Sequence, residues 1–253
     1  MSDKIVNFYD KLGIKGSVHP KTWEKHHMYN KCHTLCLGGT GSGKSNALIN
    51  YISRSSGEFY KIIVCSFSTT DEPLYNMLEE TGKIELINDI DDVPDLEEFD
   101  DKHKDKPKLI VFDDFLNVEK KKMKKIYKYL IAGRKFGFSV WLMAQDYVSV
   151  PKILVRNINY FVIFKINDNV SLNNIIRNHN IADVDSSIIK AAYSVCTQTF
   201  GNFFMIDMKS TNLDERFRMN FLNFLDLNIL KLVDYYNRIQ PNVSHFLRRD
   251  LAY

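Results

Sequence analysis

The chain has 253 residues, a length that suits one large α/β domain or a domain with a small appendage. Hydrophobic residues make up 45% and charged residues 26%, a globular composition that excludes the fibrous, disordered and disulfide-scaffold classes. The 34 Lys and Arg residues against 31 Asp and Glu residues give a net charge of +3, which is too weak to indicate nucleic-acid binding by itself.

The apolar runs are too short for a membrane span, which needs about 20 residues. Residues 1–10 lack the basic-then-apolar pattern of a signal peptide. The cysteines Cys32, Cys36, Cys65 and Cys196 are sparse and irregularly spaced, which fits a reducing compartment. We therefore expect a soluble, non-secreted protein without membrane insertion.

Short apolar runs alternate with helical patterns along the chain. The runs predict strands at Thr34–Leu37, Lys61–Phe67, Ile84–Ile87, Leu109–Phe112, Phe138–Ala144, Tyr160–Ile166 and Phe203–Met208. The helical patterns lie at Lys44–Arg54, Glu72–Thr81, Lys120–Ile131, Val170–Asn178 and Glu215–Arg238. Several of the strands are continuously apolar, as in strands buried on both faces of a parallel sheet. The alternation predicts a doubly wound α/β sheet.

The chain divides into three predicted parts. Residues 1–30 form an N-terminal flank packed on the core, residues 31–210 the main domain, and residues 211–253 a C-terminal helical extension of that domain. Two charge blocks interrupt the main domain, an acidic one at residues 89–101 and a lysine-rich helix around residues 120–128. The acidic block is typical of a solvated connection, and the lysine-rich face serves either solubility or contact with nucleic-acid phosphates.

A phosphate-binding loop is the strongest signal in the sequence, because it matches G-x-x-x-x-G-K-[ST] between a predicted strand and a predicted helix. The loop consists of Gly38, Gly39, Thr40, Gly41, Ser42, Gly43, Lys44 and Ser45. Its glycines allow backbone N–H groups to turn towards phosphate oxygens, and the following helix directs its positive end at the same anion. We expect Lys44 to neutralise the β- and γ-phosphates of ATP and the Ser45 hydroxyl to bind Mg²⁺.

Two acids end the apolar strand that follows the acidic block. Asp113 and Asp114 come directly after the strand Leu109–Phe112. A charge at the tip of a buried strand needs a partner, and Mg²⁺ bound by Asp113 would supply one. Asp114 would polarise the attacking water, although it could instead cap a following helix.

A polar amide ends the next apolar strand, where Gln145 follows Phe138–Ala144. In ATPases with an extra strand between the phosphate-loop strand and the acidic strand, such an amide lies beside the γ-phosphate and orients water. A simple hydrogen bond at the strand end is the alternative. The predicted fold class is therefore a P-loop NTPase of the RecA/FtsK type, with a doubly wound, mostly parallel sheet and this additional strand.

The motif set resembles the genome-packaging ATPases of nucleocytoplasmic large DNA viruses and virophages, a branch of the FtsK–HerA superfamily. The resemblance is carried by Gly38–Ser45, by Thr70-Asp71-Glu72-Pro73-Leu74-Tyr75, by Ile110–Phe115, and by Ala132-Gly133-Arg134 before the Gln145 strand. It extends from Leu35 to Ile166, and more weakly to Asp207. The two-aspartate ending at Asp113 and Asp114 matches this branch.

The resemblance implies an ATP-driven, ring-shaped homo-oligomer that pulls double-stranded DNA into a preformed capsid, with non-specific contacts to the DNA backbone. Its partners would include a capsid protein or portal-like vertex, and its location would be the viral factory of the host cytoplasm or the virion. A neighbouring subunit would supply an arginine finger. Arg134 and Arg156 are the two candidates. Arg134 is favoured because it lies on the connection into the Gln145 strand, although either could be an ordinary surface arginine.

Two other functions remain open from the residues alone. One is a related DNA motor for plasmid transfer or unwinding, and the other is a nucleotide-dependent assembly switch without motor activity. The acids after Gln145 form no cluster of the kind that a nuclease needs, so we expect no nuclease in this chain. No base-reading motif is evident, so ATP is not distinguished from other nucleoside triphosphates.

Overall fold

The computed structural model describes residues 6, 8–12, 19–68, 72–99, 103–179, 181 and 184–227. Thr70 and Asp71 of the family segment, and residues 228–253 of the predicted C-terminal extension, lie outside these residues. The division into three parts therefore stays a prediction.

All seven predicted strands are present in one nine-stranded sheet. The strands are β1 (His33–Leu37), β2 (Lys61–Ser66), β3 (Glu85–Ile87), β4 (Lys108–Asp113), β5 (Phe138–Ala144), β6 (Tyr160–Ile163), β7 (Phe204–Asp207), β8 (Phe217–Met219) and β9 (Asn223–Phe224). Their order across the sheet is β3-β2-β4-β5-β1-β6-β7-β8-β9. In this spatial order, the six strands from β3 to β6 pair in parallel. The strands β7, β8 and β9 follow at one edge of the sheet and pair antiparallel. The predicted fold class is confirmed, including the extra strand β5 between β1 and β4.

Helices cover both faces of the sheet. They are α1 (Phe8–Lys11), α2 (Lys44–Arg54), α3 (Pro73–Glu80), α4 (Lys124–Ala132), α5 (Lys152–Val155), α6 (Asn169–Asn178), α7 (Ser186–Cys196) and α8 (Leu213–Arg216). One apolar cluster joins α2 and α3 to the sheet, and the other joins α4 to α7 to its opposite face. This sandwich explains why every residue of β1, β4 and β5 is buried, as their apolar runs predict. Among the described residues, no helix is both long and apolar enough to cross a membrane.

The predicted helix Glu215–Arg238 is wrong over its described part. Residues 213–216 form one helical turn, and β8 and β9 follow as antiparallel strands. Phe217 pairs with Ile206 of β7 and stacks on Phe204, with ring centroids 5.9 Å apart. Strand pairing and a buried ion pair of Arg218 with Asp207 therefore override the local helical pattern. The remainder of that predicted helix lies beyond the described residues.

Candidate nucleotide-binding site

The phosphate loop connects β1 to α2 at the carboxyl edge of the parallel strands. Gly43 adopts a left-handed conformation with φ of 108°, which a side chain would strain. A Cβ on Gly38 would lie 2.4 Å from Ser42 Oγ and 2.7 Å from Phe164 Cβ, so the turn requires glycine there. The Lys44 ammonium group donates to the carbonyl oxygens of Gly38 and Gly39 at 2.7 Å and 3.2 Å. The backbone conformation at Gly43 and the close contacts at Gly38 explain why glycine stands at these two positions of the loop.

A cavity of 340 Å³ opens beside this loop, a volume in the range of small-molecule sites. Its lining is polar and consists of Thr40, Gly41, Lys44, Ser45, Ser66, Ser68, Glu72, Asp113, Asp114, Asn117 and Gln145. The structure thus brings together four of the eight predicted phosphate-loop residues, both predicted acids and the predicted amide. The side chains come from segments that follow β1, β2, β4 and β5, because parallel strands end at a common edge.

Asp113 is the buried acid of the site, and only 8% of its surface is exposed. It accepts a hydrogen bond from the Tyr75 hydroxyl at 2.8 Å and one from the Asp114 backbone N–H at 3.0 Å. Burial raises the pKa of the Asp113 carboxyl, and the charge of Asp114 raises it further, while the Tyr75 hydroxyl and Lys44 act against this. The carboxylate therefore lacks full compensation within the protein, as expected for a group that binds a cation.

Asp114 and Gln145 lie at the ends of neighbouring strands. Asp113 is opposite Met143 in the β4–β5 register, and Leu37 is opposite Ala144 in the β1–β5 register. Gln145 therefore follows the strand that lies between the phosphate loop and the acids. Asp114 has a left-handed backbone with φ of 49°, an uncommon conformation for a residue with a side chain. It shows no side-chain cap hydrogen bond to the turn Phe115–Asn117 that follows, which removes support from the helix-cap alternative.

Two residues of the site were missed by sequence reasoning. Glu72 accepts a hydrogen bond from Ser45 Oγ at 3.1 Å, and Tyr75 donates to Asp113 as described. Both belong to the segment before and within α3 that resembles the packaging family, but that segment carried no chemical role in the sequence. The sequence motif contains both residues, but their contacts with Ser45 and Asp113 become visible only when the packing of α3 is known. Each predicted Mg²⁺ ligand is thus hydrogen-bonded by a side chain at the start of α3, with Glu72 directly before the helix and Tyr75 in its first turn.

The two candidate finger arginines lie away from this cavity. Arg134 is exposed on the turn Gly133–Phe136 before β5, and it acts electrostatically on His33 at the start of β1. It therefore lies at the amino edge of the sheet, about 20 Å from the cavity along a seven-residue strand. Arg156 is exposed and lines a second cavity of 280 Å³ with Tyr147, Lys152 and His179. Neither arginine lines the cavity beside the phosphate loop of its own chain.

The acidic and lysine-rich blocks contact each other. Lys122 forms an ion pair with Asp91 at 2.6 Å, and Lys125 donates to the Asp91 carbonyl at 2.9 Å. Lys128 lies 3.9 Å from Asp95. Part of the lysine-rich face therefore compensates acidic residues of the same chain. Exposed lysines that remain for contact with phosphates are Lys120, Lys121 and Lys124.

The fold is shared with viral packaging proteins of known structure. The DNA-packaging ATPase B204 from Sulfolobus turreted icosahedral virus matches 76% of this chain and 98% of its own, with 15% identity and a TM-score of 0.52. The genome packaging NTPase B204 of Sulfolobus turreted icosahedral virus 2, in complex with sulfate, matches 76% of this chain and 97% of its own, with 14% identity and a TM-score of 0.56. At this identity the likeness establishes the fold.

Sequence comparison identifies the family. No curated protein sequence matches the chain. The family model described as "Poxvirus A32 protein" matches residues 21–206, which includes the whole phosphate loop, both acids and Gln145. This match confirms the resemblance to viral packaging ATPases that the motifs predict. The chain belongs to the poxvirus A32 protein family.

Proposed function

We propose that this chain is the ATP-hydrolysing subunit of a motor that translocates double-stranded DNA into a viral capsid. The observation that carries the proposal is that four residues line the same cavity in a chain of the poxvirus A32 family. These residues are Lys44, Asp113, Asp114 and Gln145. The solved B204 proteins, which share the fold, are described as a DNA-packaging ATPase and a genome packaging NTPase, and the second was obtained in complex with AMPPCP. Their described activity supports the same reaction here.

Binding of the triphosphate is assigned to the loop and to Lys44. The backbone N–H groups of residues 39–45 and the amino end of α2 favour an anion at the mouth of the cavity. The ammonium group of Lys44 lines the same cavity, so it can exchange its carbonyl partners for phosphate oxygens of higher charge. A triphosphate bound in this way would direct its terminal phosphates towards Asp113 and Gln145.

The donor set fits Mg²⁺. Ser45 Oγ and the Asp113 carboxylate are hard oxygen ligands that line one cavity, and the raised pKa of Asp113 reports a buried charge that a cation would stabilise. When bound, Mg²⁺ would neutralise charge on the β- and γ-phosphates. Glu72 and Tyr75 would orient the two ligands, because each donates to or accepts from one of them.

Water activation is assigned to Asp114, with Gln145 as the residue that orients the water. Both residues line the cavity in which the terminal phosphate would lie. A carboxylate can accept a proton from the attacking water, and an amide can hold the water by accepting and donating hydrogen bonds. Lys44 would stabilise negative charge that develops on the transferred phosphoryl group.

A ring of subunits would complete the site. Arg134 lies too far from the cavity of its own chain to act there, so its proposed role is in a neighbour's site, and Arg156 is the alternative. A guanidinium group placed at the γ-phosphate would stabilise the transition state. Phosphate release would then shift one subunit against the next and move its DNA contacts. The proposed setting is the viral factory or the virion, with a capsid component as the docking partner.

Duplex DNA is expected to raise the ATP hydrolysis rate of the purified protein severalfold, because a translocase couples turnover to its track. The measurement compares the rate with and without long double-stranded DNA, and Lys44→Ala sets the background. Unwinding of a forked duplex is measured in parallel and is expected to be absent. A turnover that duplex DNA does not change would contradict the motor and favour a nucleotide-dependent assembly switch.

Tyr75→Phe is expected to lower kcat/KM for MgATP roughly tenfold and to raise the Mg²⁺ concentration for half-maximal activity, since a hydrogen bond to a charged group contributes about 1.5–3 kcal/mol. The bond that is lost is the 2.8 Å contact with Asp113. Tyr29→Phe is the matched control, because that hydroxyl contacts His19 and lines a different cavity. An unchanged Mg²⁺ dependence in Tyr75→Phe would argue against the orienting role.

A further inference from the structure

Phe200 is the most exposed large apolar residue among those that the structure describes, with 82% of its surface accessible. It lies in the short connection between α7 and β7, where Thr197 and Phe203 on either side are buried. The connection is therefore anchored at both ends and presents an aromatic ring at its tip. A single exposed apolar side chain is unremarkable by itself, so its position decides what it can do.

The tip of this connection abuts the phosphate loop. A Cβ on Gly43 would lie 3.4 Å from the Cα of Gly201, the residue after Phe200. The same Cβ would lie 3.3 Å from the ring of Phe164, which follows β6. The amino end of α2 is thus flanked by β6 and by the Phe200 connection on one side.

The catalytic residues lie on the other side of the loop. The lining of the cavity comes from the loop itself and from segments after β2, β4 and β5, and no residue from β6 or β7 lines it. The terminal phosphates of a bound nucleotide would occupy that cavity, near Asp113. The ribose and base, at the opposite end of the triphosphate, would then leave the loop on the side where Phe200 is exposed.

We infer that Phe200 stacks on the nucleobase of the bound nucleoside triphosphate, an inference that rests on the proposed ATPase function. An exposed aromatic ring loses water and gains dispersion contact when a flat base covers it. Stacking uses the π-face that every base has, so this contact favours the larger purines over pyrimidines without separating ATP from GTP. It supplies the base contact for which no sequence motif is evident.

The test compares a ligand with a base and a ligand without one. Affinities of ATP, CTP and inorganic tripolyphosphate are measured by calorimetry for the wild type, Phe200→Ala and Phe200→Trp. Phe200→Ala is expected to lower the affinity for ATP roughly tenfold, from the usual contribution of base stacking on an aromatic residue. The affinity for CTP is expected to fall less, and the affinity for tripolyphosphate is expected to stay unchanged. Phe8→Ala is the matched control, because Phe8 is also an exposed phenylalanine but belongs to α1 and not to the connection between α7 and β7.

Phe200→Trp adds a direct readout. Its added indole fluorescence is expected to change with ATP and not with tripolyphosphate, and its ATP affinity is expected to match or exceed that of the wild type. Equal ATP affinity in the wild type and Phe200→Ala would overturn the inference. So would an equal loss for ATP and tripolyphosphate, because Phe200 would then support the loop rather than the base. If the wild type bound neither ligand, the proposed ATPase function would fail first, and this inference with it.

Discussion

Asp113→Asn is expected to abolish Mg²⁺-dependent ATP hydrolysis, with a loss of about 100-fold or more, because a ligand carboxylate supports charge stabilisation of several kcal/mol. Asparagine keeps one acceptor oxygen for the Asp114 backbone N–H, and its amide group can donate to the Tyr75 hydroxyl oxygen in place of the bond that the second carboxylate oxygen accepts. The substitution therefore removes the negative charge, while the side chain keeps its size and a polar contact with both neighbours. Loss of activity would then report the charge rather than a collapse of the site.

The same substitution is expected to keep or raise the melting temperature. Burial and Asp114 hold the pKa of Asp113 above its ordinary value, so ionisation of this carboxyl opposes folding. That cost is absent below the ordinary carboxyl pKa, where both folded and unfolded chains are protonated. It grows as the pH rises through the raised pKa of the folded state, and it is complete above that value. The stability advantage of Asp113→Asn should therefore increase from acid to neutral pH.

Steady-state hydrolysis at several Mg²⁺ concentrations and thermal unfolding at several pH values check the two expectations together. Asp105→Asn is the matched control, because the Asp105 side chain is 97% exposed and lies outside the cavity. A lower melting temperature for Asp113→Asn without Mg²⁺ would show that the ionised carboxylate stabilises the fold. Full activity would remove Asp113 from the proposed metal site.

The central fold was predictable because its signals are local. The buried strands β1, β4 and β5 are mostly apolar, and the apolar part of each ends directly before the phosphate loop or a polar residue that lines the cavity. Parallel pairing then brings those ends together without further information. This is why Asp113 and Gln145, 32 positions apart, could be assigned to one site from the sequence.

The remaining elements depend on contacts between distant parts of the chain. Helix α7 was not predicted, although Asp185 caps it by accepting from the Ser187 backbone at 2.7 Å. The segment of β8 was predicted as helix because the local sequence pattern does not reveal its pairing with β7. The roles of Glu72 and Tyr75 were equally hidden, since a carboxylate facing Ser45 and a hydroxyl facing Asp113 follow from packing of α3 and not from spacing.

Arg218 shows how such a distant contact stabilises the fold. Its guanidinium group is 1% exposed, pairs with Asp207 at 2.6 Å, and donates to the carbonyl oxygens of His26 and His27 at 3.3 Å and 3.0 Å. It therefore joins β7, β8 and the segment before β1 in one buried network. Burial costs a charged group several kcal/mol unless it is paired, so the network depends on every partner.

Arg218→Met is expected to destabilise the protein by about 3–5 kcal/mol, because it leaves Asp207 buried without its cation. Asp207 also accepts from the backbone of Lys209 and Ser210, and asparagine can keep those two bonds. The double variant Asp207→Asn/Arg218→Met should therefore be more stable than Arg218→Met alone, since no uncompensated charge remains. Urea unfolding of the two variants, with the exposed Arg177→Met as control, measures the difference. An Arg218→Met variant within about 1 kcal/mol of the wild type would mean that water reaches Asp207 and that this network contributes little.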